Sequence, residues 1–417
     1  MNLSADLSDL GLNCLDRILS PVSARAFLDH SWGQQFVHIE GYKDKFWHLF
    51  PWNQLNTALE QYPFQPPRMR LVKGGRDINA ERYLFLERLG SRDQTKRLSA
   101  AELTNELKLG ATLVLNCAEE VSPALRELCA GLERIFRVYV IVNLYVAFKS
   151  DNGFGLHWDD QDTFILQVYG RKKWRVFEPT RPHPLKEDHE KPGKPSVLVW
   201  DGILEEGGLF HIPRGWWHVA YPVDEPSLHL TVTVNSLTGL DFLRWYLDGL
   251  MAAREVRANL PLVKSHEDQR RYAETLKQEL LNAWTPDMIE RFIADRDSSA
   301  ASRPVMRLPE SVTMEHPVHE DGLFRLSSPR SVVIRRESES NGVSFTCDRK
   351  VWQCSQSLLP VLTLLNDGET HSFGELTAML NGAADQSGVK QFLNQLAQGG
   401  VLIVETPVRA EKEPVHI

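Results

Sequence analysis

Between Thr112 and Val234 the chain is a succession of short stretches rich in β-branched and aromatic residues. They run Thr112 to Asn116, Arg137 to Phe148, Thr163 to Tyr169, Trp174 to Phe177, Ser196 to Trp200, Leu209 to Ile212, His218 to Tyr221 and Leu228 to Val234. Glycine, proline or charged turns separate them. Many short strands punctuated in this way imply an antiparallel sandwich or barrel. The first hundred residues read as mixed, with a short helix over Pro21 to His30 and a strand, Phe36-Val37-His38-Ile39, ended by Glu40-Gly41.

At Gly239 the period changes from two to about 3.6. Phe242, Trp245, Tyr246 and Met251, then Tyr272, Leu276 and Leu280, recur at helical spacing. Thr285-Pro286 reads as the N-cap and first position of a further helix carrying Met288, Ile289, Phe292 and Ile293. Asp295 to Pro304 reads as a linker. In the tail, Ser372-x-x-Glu375 is a capping box before Leu376, Met379 and Leu380. A second amphipathic helix carries Val389, Phe392, Leu393 and Leu396; Gly399-Gly400 stops it, and Val401 to Val404 is a strand. Helix, helix, strand is the order of a winged-helix module.

A chain of 417 residues holds two to three domains at about 150 residues each. Met1 to Asp6 lack the basic and apolar regions of a signal peptide. The most apolar run, Val138 to Phe148, is broken by Asn143 and is shorter than the roughly 20 residues that span a bilayer. Five scattered cysteines with no C-x-x-C pair point to reduced thiols and a cytoplasmic location. The net charge of −8 disfavours general nucleic-acid binding. The tail agrees: residues 301–417 hold 11 Lys+Arg and 14 Asp+Glu, 11 − 14 = −3.

His157 and Asp159 form a His-x-Asp pair after Gly153-Phe154-Gly155. In an extended strand, side chains at i and i+2 share one side, roughly 6.7 Å apart. A lone His-x-Asp is common by chance; its place at the mouth of Phe164-Ile165-Leu166 sets this one apart. A third ligand from a neighbouring strand would complete two imidazoles and one carboxylate, the set of non-haem Fe(II) oxygenases. His211, His218 and His229 are the candidates. His218 follows the turn Pro213-Arg214-Gly215 and opens a strand, which favours it; His229, alternating with Thr231 and Thr233, is second. Asp160 and Asp162 read as solvated or structural. Lys172 lies among Arg171 and Lys173, ordinarily a wet hairpin. One lysine turned inward could instead pair with one end of a dicarboxylate.

Gly155-x-His157-x-Asp159, Phe164-Ile165-Leu166-Gln167, Gly170-x-Lys172-x-Trp174 and Pro213-x-Gly215-x-x-His218 together resemble the JmjC-type ribosomal oxygenases of the cupin superfamily. These are 2-oxoglutarate- and Fe(II)-dependent protein hydroxylases. The resemblance implies an α+β chain. A double-stranded β-helix (JmjC/cupin) barrel over 1–240 would be followed by a helical dimerisation region over 241–300 and a winged-helix-like domain over 301–417. It implies that His157, Asp159 and His218 hold Fe(II), and that Lys172 binds the distal carboxylate of 2-oxoglutarate. Asn143 and Thr163, with Thr233 beside them, would face the co-substrate or its water. The implied reaction couples oxidative decarboxylation of 2-oxoglutarate by dioxygen to hydroxylation of an arginine or histidine of a ribosomal protein, by a homodimer. The negative charge and the lack of a long apolar run add the expectation of no direct nucleic-acid binding and no membrane contact. Three alternatives keep part of this reading: an N-methyl demethylase, a non-catalytic metal-binding interaction module, and Zn²⁺ in place of iron.

Overall fold

A computed structural model describes residues 9–88, 94–149, 153–188, 195, 197–305, 318–336, 342–380 and 386–405. The Met1 to Asp6 reading and Ser196 lie outside these residues. The chain divides into two units, Met1–Ser236 and Leu237–Ile417.

The first unit carries thirteen strands: β1 (Val37–Ile39), β2 (Met69–Lys73), β3 (Arg76–Asp77), β4 (Leu84–Arg88), β5 (Gln94–Leu98), β6 (Thr112–Leu115), β7 (Val140–Ala147), β8 (Asp162–Tyr169), β9 (Lys172–Phe177), β10 (Leu198–Leu204), β11 (Leu209–Ile212), β12 (Trp217–Pro222) and β13 (Ser227–Val234). The major sheet runs β1-β11-β8-β13-β7-β6-β2-β3 and the minor sheet β10-β9-β12, while β4 and β5 form a separate hairpin. Ile165, Phe210 and Ile212 of the major sheet close on Trp174, Val176 and Leu204 of the minor one, so the two sheets share one interior.

Cross-strand register then fixes what faces that interior. Thr163, Ile165 and Gln167 of β8 stand opposite Thr233, Thr231 and His229 of β13, and these stand opposite Ile141, Asn143 and Tyr145 of β7. Because side chains alternate with period two, all nine share one face with Ile165. On β9 the same rule turns Lys172, Trp174 and Val176 inward, as their burial requires, while Lys173 and Arg175 bond outward to Asp201, and Arg171 in the turn before the strand bonds to Glu225. The tight turn into β9 needs Gly170: its φ is +62°, and a Cβ there would meet the Pro226 carbonyl oxygen at 2.1 Å.

The opposite face of β8 is also buried, so β8 and β13 are buried along nearly their whole length, polar residues included. Phe164 packs against Phe27, Trp32 and Phe136. These come from the helical layer α1 (Asp9–Leu19), α2 (Ala24–His30), α3 (Trp52–Gln61), α4 (Ala100–Lys108) and α5 (Pro123–Phe136), or from the turn after α2. The sequence reading missed α5, although its start carries a Ser122 cap on Leu125 N–H and Pro123 at the first turn. The stretch expected as strand from Arg137 begins only at Val140, because Arg137 takes the left-handed conformation (φ +57°) that closes α5.

The second unit opens with α6 (Gly239–Gly249), whose Thr238/Asp241 capping box is complete, then α7 (Arg254–Arg257), α8 (His266–Ala283) and α9 (Met288–Ser298). Tyr246, Leu250 and Met288 form its small core with Phe242, Trp245, Leu280 and Ala283. Helix α9 begins two residues later than expected. Asp287 is its N-cap, and the Thr285 hydroxyl donates to the Asp287 carboxylate. Residues Asp295 to Ser298, read as linker, are helical, and Asp297 is buried 3.6 Å from Arg330.

The tail expectations for Ser372 and Gly399-Gly400 match the structure: the capping box forms, helix Gln386–Gln398 ends before the glycines, and β19 (Leu402–Glu405) follows. Four upstream strands were not legible: β14 (Leu323–Leu326), β15 (Ile334–Arg336), β16 (Gly342–Cys347) and β17 (Lys350–Ser355). β14 sits between β18 (His371–Ser372) and β19. Among the described residues no helix is long and apolar enough to cross a membrane.

Candidate metal and co-substrate site

His157 and His218 form a cross-strand pair. His218 N–H donates to the His157 carbonyl at 2.8 Å, and His157 N–H donates back at 3.2 Å. The sequence reading put His157 and Asp159 in a strand; regular strand begins only at Asp162, and the pair is an isolated bridge in the approach to it. Two further bonds fix this approach to the turn before β12. Gly215 N–H donates to the Asp159 carbonyl at 2.8 Å, and Arg214 N–H donates to the Asp162 carboxylate at 3.2 Å. Asp162 is therefore neither solvated nor idle: it is buried and also accepts from Ser236 Oγ at 2.6 Å.

Each imidazole is oriented by its own backbone. His157 Nδ1 lies 2.8 Å from the Gly155 carbonyl, and His218 Nδ1 lies 3.1 Å from the Trp216 carbonyl. A carbonyl only accepts, so Nδ1 carries the hydrogen and Nε2 presents its lone pair. Both Nε2 atoms face Asp159, at 3.9 Å and 3.6 Å from its carboxylate oxygens. The three donor atoms lie within 4.8 Å of one another. Burial and the neighbouring His157 push His218 down to about 4, so it is neutral at physiological pH, as a metal ligand must be. Two imidazoles and one carboxylate, with the His157 and Asp159 side chains 42% and 36% exposed, fit a divalent first-row metal. Here the residues fit the group.

Trp174 connects this triad to the second half of the site. Its ring lies 6.2 Å from that of His218 and 5.6 Å from that of His229. Beside His229 is Lys172, buried, with Nζ 3.5 Å from His229 Nδ1. Burial lowers the Lys172 ammonium to about 7. Tyr145 stacks flat on His229, rings 4.8 Å apart at 1°, and burial raises its hydroxyl to about 12. A buried cation on the inner face, one aromatic ring away from a metal triad, can receive an anion held at its other end by the metal.

The remaining expected residues lie on the same inner face, but their polar atoms are partly committed. Asn143 accepts from Cys117 N–H at 3.3 Å, and Thr163 donates to the Ile212 carbonyl at 3.3 Å. The rival distal ligands are elsewhere. His211 is buried among Phe27, Trp32 and Phe164 on the helical side, and His229 sits with Lys172. His229 was read only as the second-choice metal ligand, and Tyr145 had no part in the sequence reading, although they alternate in phase with Thr231 and Asn143. A second cluster, Cys117 with Glu119 and Glu120, is occupied structurally: Glu119 accepts from Val142 N–H at 2.9 Å.

Residues 115–242 match the family model of the JmjC domain. The chain carries a JmjC domain. That span contains all six expected site residues. The ribosomal oxygenase 1 of Rattus norvegicus is 30% identical over 262 residues, covering 58% of this chain and 41% of that protein. A bifunctional lysine-specific demethylase and histidyl-hydroxylase NO66 from Brugia malayi is 30% identical over 185 residues, covering 41% of this chain and 25% of that protein. The chain thus spans less than half the length of these curated relatives. Among solved structures, the E. coli ribosomal oxygenase YcfD aligns with 92% of this chain and 98% of its own, at TM-score 0.56 and 15% identity. YcfD in complex with cobalt and 2-oxoglutarate aligns at TM-score 0.53 and 16% identity. At such identity the likeness establishes the fold: a JmjC cupin barrel within a chain of mixed helix and strand.

Proposed function

We propose that this chain is an Fe(II)- and 2-oxoglutarate-dependent dioxygenase that hydroxylates an arginine or histidine side chain of a ribosomal protein. The observation that carries this reading is the convergence of His157, Asp159 and His218 on one face, with buried Lys172 beyond Trp174 on the same interior wall. The names of the JmjC relatives and of YcfD support the ribosomal substrate.

His157, Asp159 and His218 would hold the ion. Bound there, Fe(II) supplies oxidative decarboxylation of a 2-oxo acid by dioxygen and transfer of one oxygen atom to a C–H bond. The chain's own share is geometric and electrostatic. The Nδ1–H bonds to Gly155 and Trp216 fix both imidazoles before any ligand arrives. Lys172 holds the distal carboxylate where its charge is not diluted by solvent. Trp174 and Tyr145 exclude water between the two anchors.

The helical region supports a homodimer. Leu243, Leu247, Met251, Leu260, Leu262, Val263, Leu281, Trp284 and Ile289 are all exposed on α6, α8, α9 and their connections. Large apolar side chains left exposed along one region mark a candidate partner surface. A winged-helix-like role for the tail rests on helices Phe373–Ala378 and Gln386–Gln398 followed by β19, and its negative balance favours protein docking over nucleic acid. The cytoplasmic reading is supported by five cysteines that form no disulfide among the described residues.

Incubation of the full chain with Fe(II), 2-oxoglutarate and ribosomal proteins is expected to add one oxygen atom to one of them, seen by mass spectrometry. No oxidised product on any of them would overturn the substrate. The demethylase half of one relative's name gives a second reading, which formaldehyde release from methyl-lysine or methyl-arginine peptides would favour.

A further inference from the structure

Lys172 meets a neutral base rather than an acid inside the barrel. Its Nζ lies 3.5 Å from His229 Nδ1, and both side chains are buried. An ammonium only donates, so Nδ1 is the acceptor and the imidazole hydrogen is on Nε2. Burial and the adjacent Lys172 hold His229 well below the usual imidazole range. Its ring is gripped on two sides, flat against Tyr145 and edge-on to Trp174 at 77°. Register sets it there, since His229 pairs with Tyr145 across β7 and β13.

A carboxylate at this position would pair with Lys172 and cancel the charge that draws an acid into the pocket. A second cation would be forced out of it. A clamped neutral acceptor does neither. It takes one ammonium hydrogen and leaves the rest of the charge for a ligand. We propose that His229 is a positioning residue for the distal carboxylate of a 2-oxo dicarboxylate, acting through Lys172 by fixing the direction of its ammonium hydrogens. This rests on the co-substrate reading given above.

The test uses the full chain loaded with Mn(II), titrated calorimetrically with 2-oxoglutarate and with pyruvate, which shares the 2-oxo acid end but lacks the distal carboxylate. His229→Phe keeps a ring for Tyr145 and removes the acceptor. It is expected to weaken 2-oxoglutarate binding about tenfold, the effect of one hydrogen bond to a charged group, with pyruvate and Mn(II) affinities unchanged. His229→Asn, which offers an oxygen close to the Nδ1 position, recovers most of the loss. In a Lys172→Met background His229→Phe has no further effect.

Unchanged 2-oxoglutarate binding in His229→Phe overturns the proposal, as does an equal loss for pyruvate. Should His229→Phe lose Mn(II) binding, His229→Gln, whose amide reaches the Nε2 rather than the Nδ1 position, takes its place under the same criteria. If the wild-type chain binds Mn(II) but not 2-oxoglutarate, the co-substrate reading falls and this inference with it. If it binds both and only the variants fail to differ, this inference alone falls.

Discussion

His157 and His218, 61 residues apart in sequence, exchange both backbone hydrogen bonds as one antiparallel pair. Their side chains therefore project on one side, and their rings sit 4.4 Å apart at 57°. The ladder sets the distance between the two imidazoles, and each i−2 carbonyl sets the ring direction. Asp159 needs only to reach the gap between them.

Because the turn before His218 is held by Asp162, that carboxylate tunes the triad without touching it. Asp162→Ala frees Arg214 N–H and Ser236 Oγ together. Its expected effect is a loss of about 10–100-fold in Mn(II) or Co(II) affinity, the usual result of removing an outer-shell partner. Calorimetric titration checks this, and wild-type affinity in Asp162→Ala would remove Asp162 from the site's support.

Lys172 gives the co-substrate pocket a pH dependence. Burial places its ammonium at about 7, so the unliganded side chain is charged below that value and neutral above it. A dicarboxylate binds the charged form. Affinity for 2-oxoglutarate in the Mn(II)-loaded chain is therefore expected to be flat below pH 7 and to fall by up to about tenfold per unit between pH 7 and 9. Lys172→Met is weak at every pH and loses the slope. A wild-type slope that persists in Lys172→Met would assign the titration elsewhere.

His211 ties stability to acid. Its Nδ1 donates to the Thr163 carbonyl at 3.2 Å, its Nε2 accepts from Gly33 N–H at 3.4 Å, and burial pushes it down to about 3. The folded chain keeps this imidazole neutral, while the unfolded chain protonates it below about 6.5. Protons therefore favour unfolding, and its contribution to stability falls as pH drops from 6.5 towards 3, by up to about 1.4 kcal/mol per unit. Urea midpoints at pH 7, 5.5 and 4.5 measure the slope. In His211→Gln, starting from a lower stability, the slope should shrink by one proton's worth; an unchanged slope contradicts the assignment.

Much of this was legible because the inner wall is written in alternation. His157, Asp159 and His218 come together as the His-x-Asp spacing and the turn before His218 suggested, whereas the inward turn of Lys172 was one of two readings of a basic hairpin. Of the helical layer over Phe164 only the segment Pro21 to His30 was read; α5 was missed although Ser122 and Pro123 mark its start, because a reading by strand period passes over its 3.6-residue spacing. The place of His229 beside Tyr145, rather than as the metal ligand it was weighed as, went unread for a different reason: their partnership is a register effect between β7 and β13, and no local pattern encodes which residues of two strands stand opposite. Helix α9 overran its expected end because Asp297, in a polar stretch that reads as linker, is buried against Arg330 rather than solvated.

That last pair carries the final prediction. Asp297 and Arg330 lie 3.6 Å apart with side chains 0% and 7% exposed, and Arg330 Nη1 also reaches the Arg296 carbonyl at 3.5 Å. Removing Asp297 takes an acidic partner from a buried guanidinium. Asp297→Ala is expected to destabilise the second unit by about 3–5 kcal/mol. Replacing both with apolar residues of similar size, Asp297→Leu with Arg330→Met, should recover most of that, since the desolvation of two ions disappears with them. Chemical denaturation of the full chain, followed by Trp245 and Trp284 fluorescence in otherwise tryptophan-depleted variants, reports this unit. A double variant no more stable than Asp297→Ala would mean that the ion pair itself, rather than avoidance of an unpaired charge, holds the end of α9 to the loop carrying Arg330.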